Sequence, residues 1–182
     1  INTHAIGDKA NTVVLDAIET AKLGTRDHRS RIEHAQHLVP DDIARFADLG
    51  VIASIQTVHM SSDRPWAINR LGKDRIESGA YVWRDLLNAE VHLANGTDVP
   101  VEPINPLANF YAAVARKTLK GTPEEGYEYH QRLSREEALQ SMTLWNAYAA
   151  FQENDLGSVV VGKRADLTIL NQDVMTIDEP AI

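Results

Sequence analysis

Four times along 182 residues a short apolar stretch ends in a polar or small residue and runs straight into a turn and a helical pattern. The ends fall at His4, His34, Gln56 and Gly96, separated by 30, 22 and 40 residues. Such intervals suit strand-plus-helix units, because a chain returning to a parallel neighbour needs a crossover of a dozen residues or more. The repetition leaves two architectures open, a parallel α/β barrel and an open doubly wound sheet, which periodicity alone does not separate. In both, chemistry collects at the C-terminal ends of the strands, so the residues at each tip are where function is to be read.

Taken in order, the first tip lies in Ile1-Asn2-Thr3-His4-Ala5-Ile6, and Gly7-Asp8 supplies a turn and an N-cap. Ala10, Val13, Val14, Ala17, Ile18 and Ala21 then recur at helical spacing towards Gly24. Arg31 to His34 is the second strand, followed by a helix from Asp41 to Leu49 with Gly50 just beyond its end. Val51 to Gln56 is β-branched and apolar enough for a buried parallel strand, and it opens into an expected polar loop, residues 57–63, that carries His59. A broken helical connection covers residues 66–71 and 79–89, with Tyr81, Val82, Leu86 and Leu87 inward. Residues 90–94 form the fourth strand, and Gly96-Thr97-Asp98 follows it. Asn105-Pro106 opens a helix through Phe110, Val114 and Leu119, and residues 121–131 read as an exposed polar insertion. Ser134-Arg135-Glu136-Glu137 is a capping box. Beyond residue 155 the pattern changes to two short apolar runs around Gly162, a predicted β-hairpin. The expected division is therefore a partial (β/α) barrel over residues 1–155 and a small β module over 156–182.

Charge and composition narrow the function. Twenty-six acidic residues against 18 basic ones give a net charge of −8, with no basic run to follow a phosphate backbone, so nucleic acid is not an expected partner. No apolar run approaches the roughly 18 residues of a membrane span. With no cysteine in the chain, disulfides, thiolate-bound zinc and a thiol nucleophile are excluded. That composition fits cytoplasm or periplasm, and the cytoplasm is the expectation. A complete eight-stranded barrel takes about 250 residues, so the chain reads as the C-terminal part of a longer barrel. A half-barrel exposes strand edges and an apolar face, which predicts a homo-oligomer or a complementing N-terminal segment.

Two histidines and a carboxylate at successive tips make a metal site the leading reading. Neutral imidazoles hold a divalent ion without cancelling its charge, and a carboxylate completes a set suited to zinc or another first-row ion. The bland reading of each, a hydrogen-bonded structural residue, stands beside it. For His59 the choice lies between substrate positioning and an ordinary loop residue. Glu33, next to His34, is expected on the opposite face of its strand, away from the barrel interior and from the metal-ligating face, and paired in the barrel wall.

His4-Ala5-Ile6-Gly7-Asp8, Ile32-Glu33-His34-Ala35-Gln36, Gly96-Thr97-Asp98-Val99-Pro100-Val101 with Asn105-Pro106, and Gly162-Lys163-Arg164-Ala165-Asp166-Leu167 occur in one order along nearly the whole chain. Together they resemble the amidohydrolase superfamily, and within it amidohydrolase family 3, the branch related to N-substituted formamide deformylases. The resemblance implies a (β/α)8 barrel whose strands five to eight are present, plus part of a small β-sandwich. It implies His4, His34 and Asp98 as ligands of one or two divalent ions, zinc being the default, with Asp98 also the proton carrier. Further ligands of that superfamily, a His-x-His pair and a carboxylated Lys or a Glu, belong to strands one and four and have no counterpart in this sequence. The implied activity is hydrolysis of an amide or other non-peptide C–N bond in a small-molecule substrate. A non-catalytic half-barrel that assembles with a partner is the competing reading, and an isomerase or deaminase would share the metal logic.

Overall fold

The structure is a computed structural model that describes residues 1–21 and 27–182. Strands β1 (Asn2–Ala5), β2 (Arg31–His34), β3 (Ile52–Ile55) and β4 (Leu93–Asn95) form one parallel sheet in the order β1-β2-β3-β4. A doubly wound sheet reverses its order at the switch point. This one runs in sequence, as the wall of a barrel does.

The register sorts the strand residues into two rows. Thr3, Ile32, Ala53 and Leu93 pair across the sheet, and so do His4, Glu33, Ser54 and Ala94. Ile32, Ala53 and Leu93 join the main core with residues from the helices, among them Leu15, Phe46, Met60, Leu86 and Phe110. Each of the larger of these side chains taken fully out of water contributes about 1.5–3 kcal/mol, so the sheet is held to its helices from one face. On the other face Ile52 and Ala94 meet only a small cluster with Ala149. Glu33 therefore shares a face with His4, contrary to expectation, and its Oε1 lies 3.8 Å from Arg31 Nε. The alternation rule misleads here because His34, with φ of +78°, leaves extended geometry at the strand's last residue.

Helix α1 (Asp8–Ala21) follows β1, and its expected end near Gly24 lies outside the described residues. Helix α2 (Pro40–Asp48) starts on a proline, where a missing N–H costs nothing, carries Asp41 and Asp42 in its first turn, and ends before Gly50 at φ +63°. Residues 57–63 are not a loop. They are the first turns of α3 (Thr57–Leu71), which tolerates Pro65 in its interior. Helices α4 (Lys73–Gly79) and α5 (Trp83–Asn88) complete the broken connection. Helix α6 (Pro106–Ala115) is capped by Asn105, and α7 (Arg135–Met142) by the full Ser134/Glu137 box, ahead of α8 (Leu144–Ala149).

Two expectations fail in the C-terminal half. The insertion at 121–131 is exposed over its first part only. Its second part is strapped down by Arg116, fully buried, whose Nε donates to Tyr127 O at 2.9 Å and Nη1 to Tyr81 O at 2.8 Å. Glu128 in that strap pairs with Arg64 at 2.7 Å. The predicted hairpin of residues 156–182 is also absent, since no described residue of that segment is in a strand. Its turn does form, Lys163 N–H donating to Val160 O at 3.1 Å with Gly162 at φ +99°. Val159, Val161 and Ile169 remain 88%, 103% and 93% exposed. An isolated two-stranded hairpin is marginal in water, and this one has no sheet or helix beneath it among the described residues.

Candidate metal centre

His34 stands at the C-terminal tip of β2, and its left-handed backbone turns the ring across the strand ends instead of into the wall. The His4 ring, from β1, meets it edge-on at 4.5 Å between centroids. The His59 ring stacks on it at 5.6 Å and 17°. Asp98 follows β4 in a turn closed by Val101 N–H to Asp98 O at 2.8 Å, and it too has positive φ, +57°. Its Oδ2 lies 3.9 Å from His59 Nε2. Side chains from the ends of β1, β2 and β4 and from the first turn of α3 thus converge at one rim.

The ligand-capable atoms of His34, His59 and Asp98 all lie within 4.8 Å of one another, and His4 is not part of that set. Of the expected trio, His34 and Asp98 fall in that set together with His59, while His4 stays outside it, its ring against that of His34. His59 was expected on a loop and proves to be a buried helical residue. A signal was available: Val58 and Met60 flank it, and both are buried as only an ordered element would bury them.

Whether such a site suits a cation is a question of donors. His34 Nδ1 and His59 Nε2 are buried and have no hydrogen-bond partner, as is the amide oxygen of Gln56 at the end of β3. Buried polar atoms are nearly always satisfied, so unsatisfied ring nitrogens beside a carboxylate fit a set of metal donors. Burial, and next the neighbouring His4, hold the His34 imidazole below the ordinary histidine pKa. His34 is therefore neutral near pH 7, the form that binds metal. Imidazoles gathered at one rim with a carboxylate among them are a fitting donor set for a divalent first-row ion.

A second buried residue, Asn11 of α1, ties the histidine-bearing loops together. Its amide Nδ2 donates to Ala5 O at 3.2 Å, Gly7 O at 2.9 Å and His37 O at 3.2 Å, joining the segment after His4 to the segment after His34. Asn11 is one turn before Leu15 on the apolar stripe of α1, and a polar residue in that stripe was the sequence's sign of it. No helix among the described residues is long and apolar enough to cross a membrane.

Comparison with known proteins gives the geometry its context. Protein LONG AFTER FAR-RED 3 of Arabidopsis thaliana is 42% identical over 170 residues, 92% of this chain and 29% of its own length. The N-substituted formamide deformylase of Arthrobacter pascens is 30% identical over 172 residues, 93% of this chain and 31% of its own. An uncharacterized metal-dependent hydrolase from Pyrococcus furiosus superposes with a TM-score of 0.80 at 36% identity, over 96% of this chain and 34% of that one. The chain thus spans about a third of the length of each. The profile described as "Amidohydrolase family" matches residues 1–182. With a parallel sheet whose tips bring histidines and an aspartate together, and a match running from end to end, the chain belongs to the amidohydrolase family.

Proposed function

We propose that this chain forms the metal-binding rim of a hydrolase that cleaves an amide or other non-peptide C–N bond in a small molecule, with β1 to β4 serving as strands five to eight of a (β/α)8 barrel. The observation that carries the reading is the convergence of His34, His59 and Asp98 around buried ring nitrogens that have no hydrogen-bond partner. His4, His34 and Asp98 are assigned as ligands and His59 as the residue that faces the substrate. Zinc is the first choice of ion from the donor chemistry. The name of the Arthrobacter relative, a deformylase of N-substituted formamides, supports the C–N reading.

A bound divalent ion supplies an acidified water and polarises the carbonyl to be attacked. The residues do the rest. Asp98, 37% exposed at its side chain, is open enough to meet water and substrate. Its carboxylate takes the proton released as water oxygen bonds to the carbonyl carbon, and returns it to nitrogen as the C–N bond breaks. His59 Nε2 is buried and unpartnered, placed to bond a polar atom of the substrate. His34, kept neutral, stays a lone-pair donor throughout.

The test is metal content followed by hydrolysis of simple N-acyl amides, before and after chelation. Stoichiometric zinc or a related ion, with activity lost on chelation and regained on its return, supports the proposal. Folded protein without metal or hydrolysis sinks it. A second reading, assembly without catalysis, draws support from the open edges of β1 and β4 and the exposed apolar residues of 156–182. On either reading a second copy or a complementing segment is proposed to cover them, and sedimentation of a compact, stable 20.2 kDa monomer counts against it.

A further inference from the structure

The first N–H groups of a helix have no partner within the helix and are usually met by the side chain of the N-cap residue or by water. In α3 the N-cap residue is Gln56, which makes no side-chain cap. Two asparagines from elsewhere do the work instead. Thr57 N–H donates to Asn95 Oδ1 at 3.2 Å, and Val58 N–H donates to Asn109 Oδ1 at 2.9 Å. The Thr57 hydroxyl ties the two together, donating to Asn109 O at 2.7 Å and accepting from Asn95 Nδ2 at 3.0 Å. Asn95 is itself fixed to α8 through both backbone groups, its N–H donating to Asn146 Oδ1 at 3.0 Å and its carbonyl accepting from Asn146 Nδ2 at 2.9 Å. Thr57, Asn95 and Asn109 are at most 3% exposed.

The placement of this knot relative to the candidate site is what gives it meaning. Thr57 is two residues before His59 on α3, and Asn95 is three residues before Asp98 at the tip of β4. The knot therefore joins the element that carries His59 to the element that carries Asp98, and both residues hang from it by less than one helical turn or a short loop. It also occupies the N-terminus of α3, whose first two N–H groups are directed at asparagine oxygens.

We propose that Thr57, with Asn95 and Asn109 as its partners, is the positioning residue that sets the His59 to Asp98 separation and thereby shapes the site. This rests on the metal-dependent reading above only for its consequence in affinity. The geometric consequence stands without metal. A buried network with three elements in it is stiff, since releasing one bond strands a donor or acceptor in the core.

The comparison that tests it is Thr57→Val, which keeps the shape and removes the hydroxyl, against Thr57→Ser, which restores the hydroxyl. Two signals are read: the ring resonances of His59 in 13C-histidine-labelled, metal-free protein, and the affinity and visible absorption of added Co(II). Thr57→Val is expected to move the His59 ring signals, which sense the stacked His34 ring, to weaken Co(II) by about tenfold as changes behind metal ligands do, and to alter its visible bands. Thr57→Ser is expected to recover all three. If Thr57→Val lowers the thermal midpoint yet leaves the His59 signals and the Co(II) spectrum as in wild type, the knot is structural only and the inference is overturned. If wild type takes up no Co(II), the metal reading fails, and the His59 signals alone decide the positioning. Should Thr57→Val fail to fold, Asn109→Ser, which leaves room for water at the Val58 N–H, is read in the same way.

Discussion

Exchanging Asp98 for Asn removes one negative charge from the rim and leaves almost everything else in place. Asn is tolerated at the left-handed φ of +57° that Asp98 adopts, because its short polar side chain is one of the few that visits that region. The turn that holds it uses the Asp98 carbonyl, which the substitution keeps. The one ionic neighbour found for the carboxylate among the described residues is His59 at 3.9 Å, a pair that exists only while the ring is protonated. With the Asp98 side chain 37% exposed, that pair contributes at most about 1 kcal/mol. A loss of that size moves the thermal midpoint of a chain this long by about 2–4 °C. The catalytic reading demands something far larger: turnover should fall by roughly 10²–10⁴ when a positioned acid-base group is removed, equivalent to about 3–5 kcal/mol in the barrier. The two magnitudes differ enough for one experiment to choose between them. It measures kcat on a simple N-acyl amide, metal content and thermal midpoint for wild type and Asp98→Asn. A near-normal kcat would refute the assignment, whatever the midpoint does.

Two further outcomes follow from the same coordinates. Gly79→Ala should destabilise by about 1–3 kcal/mol instead of gaining the usual helical advantage of alanine, because a Cβ there would stand 2.0 Å from the carbonyl oxygen of Leu38, a residue whose N–H donates to Gly79 O; chemical denaturation checks this, and an alanine variant as stable as wild type would show that the strap after β2 yields. Glu137→Ala removes both the bidentate partner of Arg84 and the return half of the capping box, Ser134 N–H to Glu137 Oε2 at 2.7 Å, and should cost about 1–2 kcal/mol. Arg84 first, and then the Ser134 backbone, hold the Glu137 carboxyl at a pKa of about 2 against an ordinary 4.5. Between those values the unfolded chain binds the extra proton, so this contribution is complete above about pH 4.5 and is lost as pH falls towards 2. The difference in stability between wild type and Glu137→Ala should therefore shrink over that window, and a difference constant from pH 7 to pH 3 would contradict it.

How much of this was open to the sequence depends on the range over which each signal acts. The four strand tips, Gly50 after α2, Asn105-Pro106 at α6 and the Ser134 box were legible because each is set by residues within about four positions of one another. The face of Glu33 was not, since strict alternation assumes extended geometry up to the tip and His34 abandons it. The helix at Thr57 was hidden for a related reason. Its cap lies 38 and 52 residues away in sequence, in Asn95 and Asn109, and a local reading finds only a polar stretch after Gln56. The hairpin failed in the opposite direction: local pattern and turn were right, Gly162 included, but pairing also needs a surface to cover Val159, Val161 and Ile169.

The site itself shows where the division falls. His4, His34 and Asp98 were marked by position, each at or just beyond the end of an apolar strand, and a barrel or sheet brings such positions to one rim whatever the intervening loops do. Their spacing was not marked, nor was the place of His59 beside His34 and Asp98. That is decided by an amide knot whose members, Thr57, Asn95 and Asn109, look like ordinary loop and helix residues when read along the chain. Position at a strand tip is a topological property and survives in one dimension. A separation of 3.9 Å between two side chains is set by packing across three elements, and it becomes readable only once the register and the buried hydrogen bonds are known.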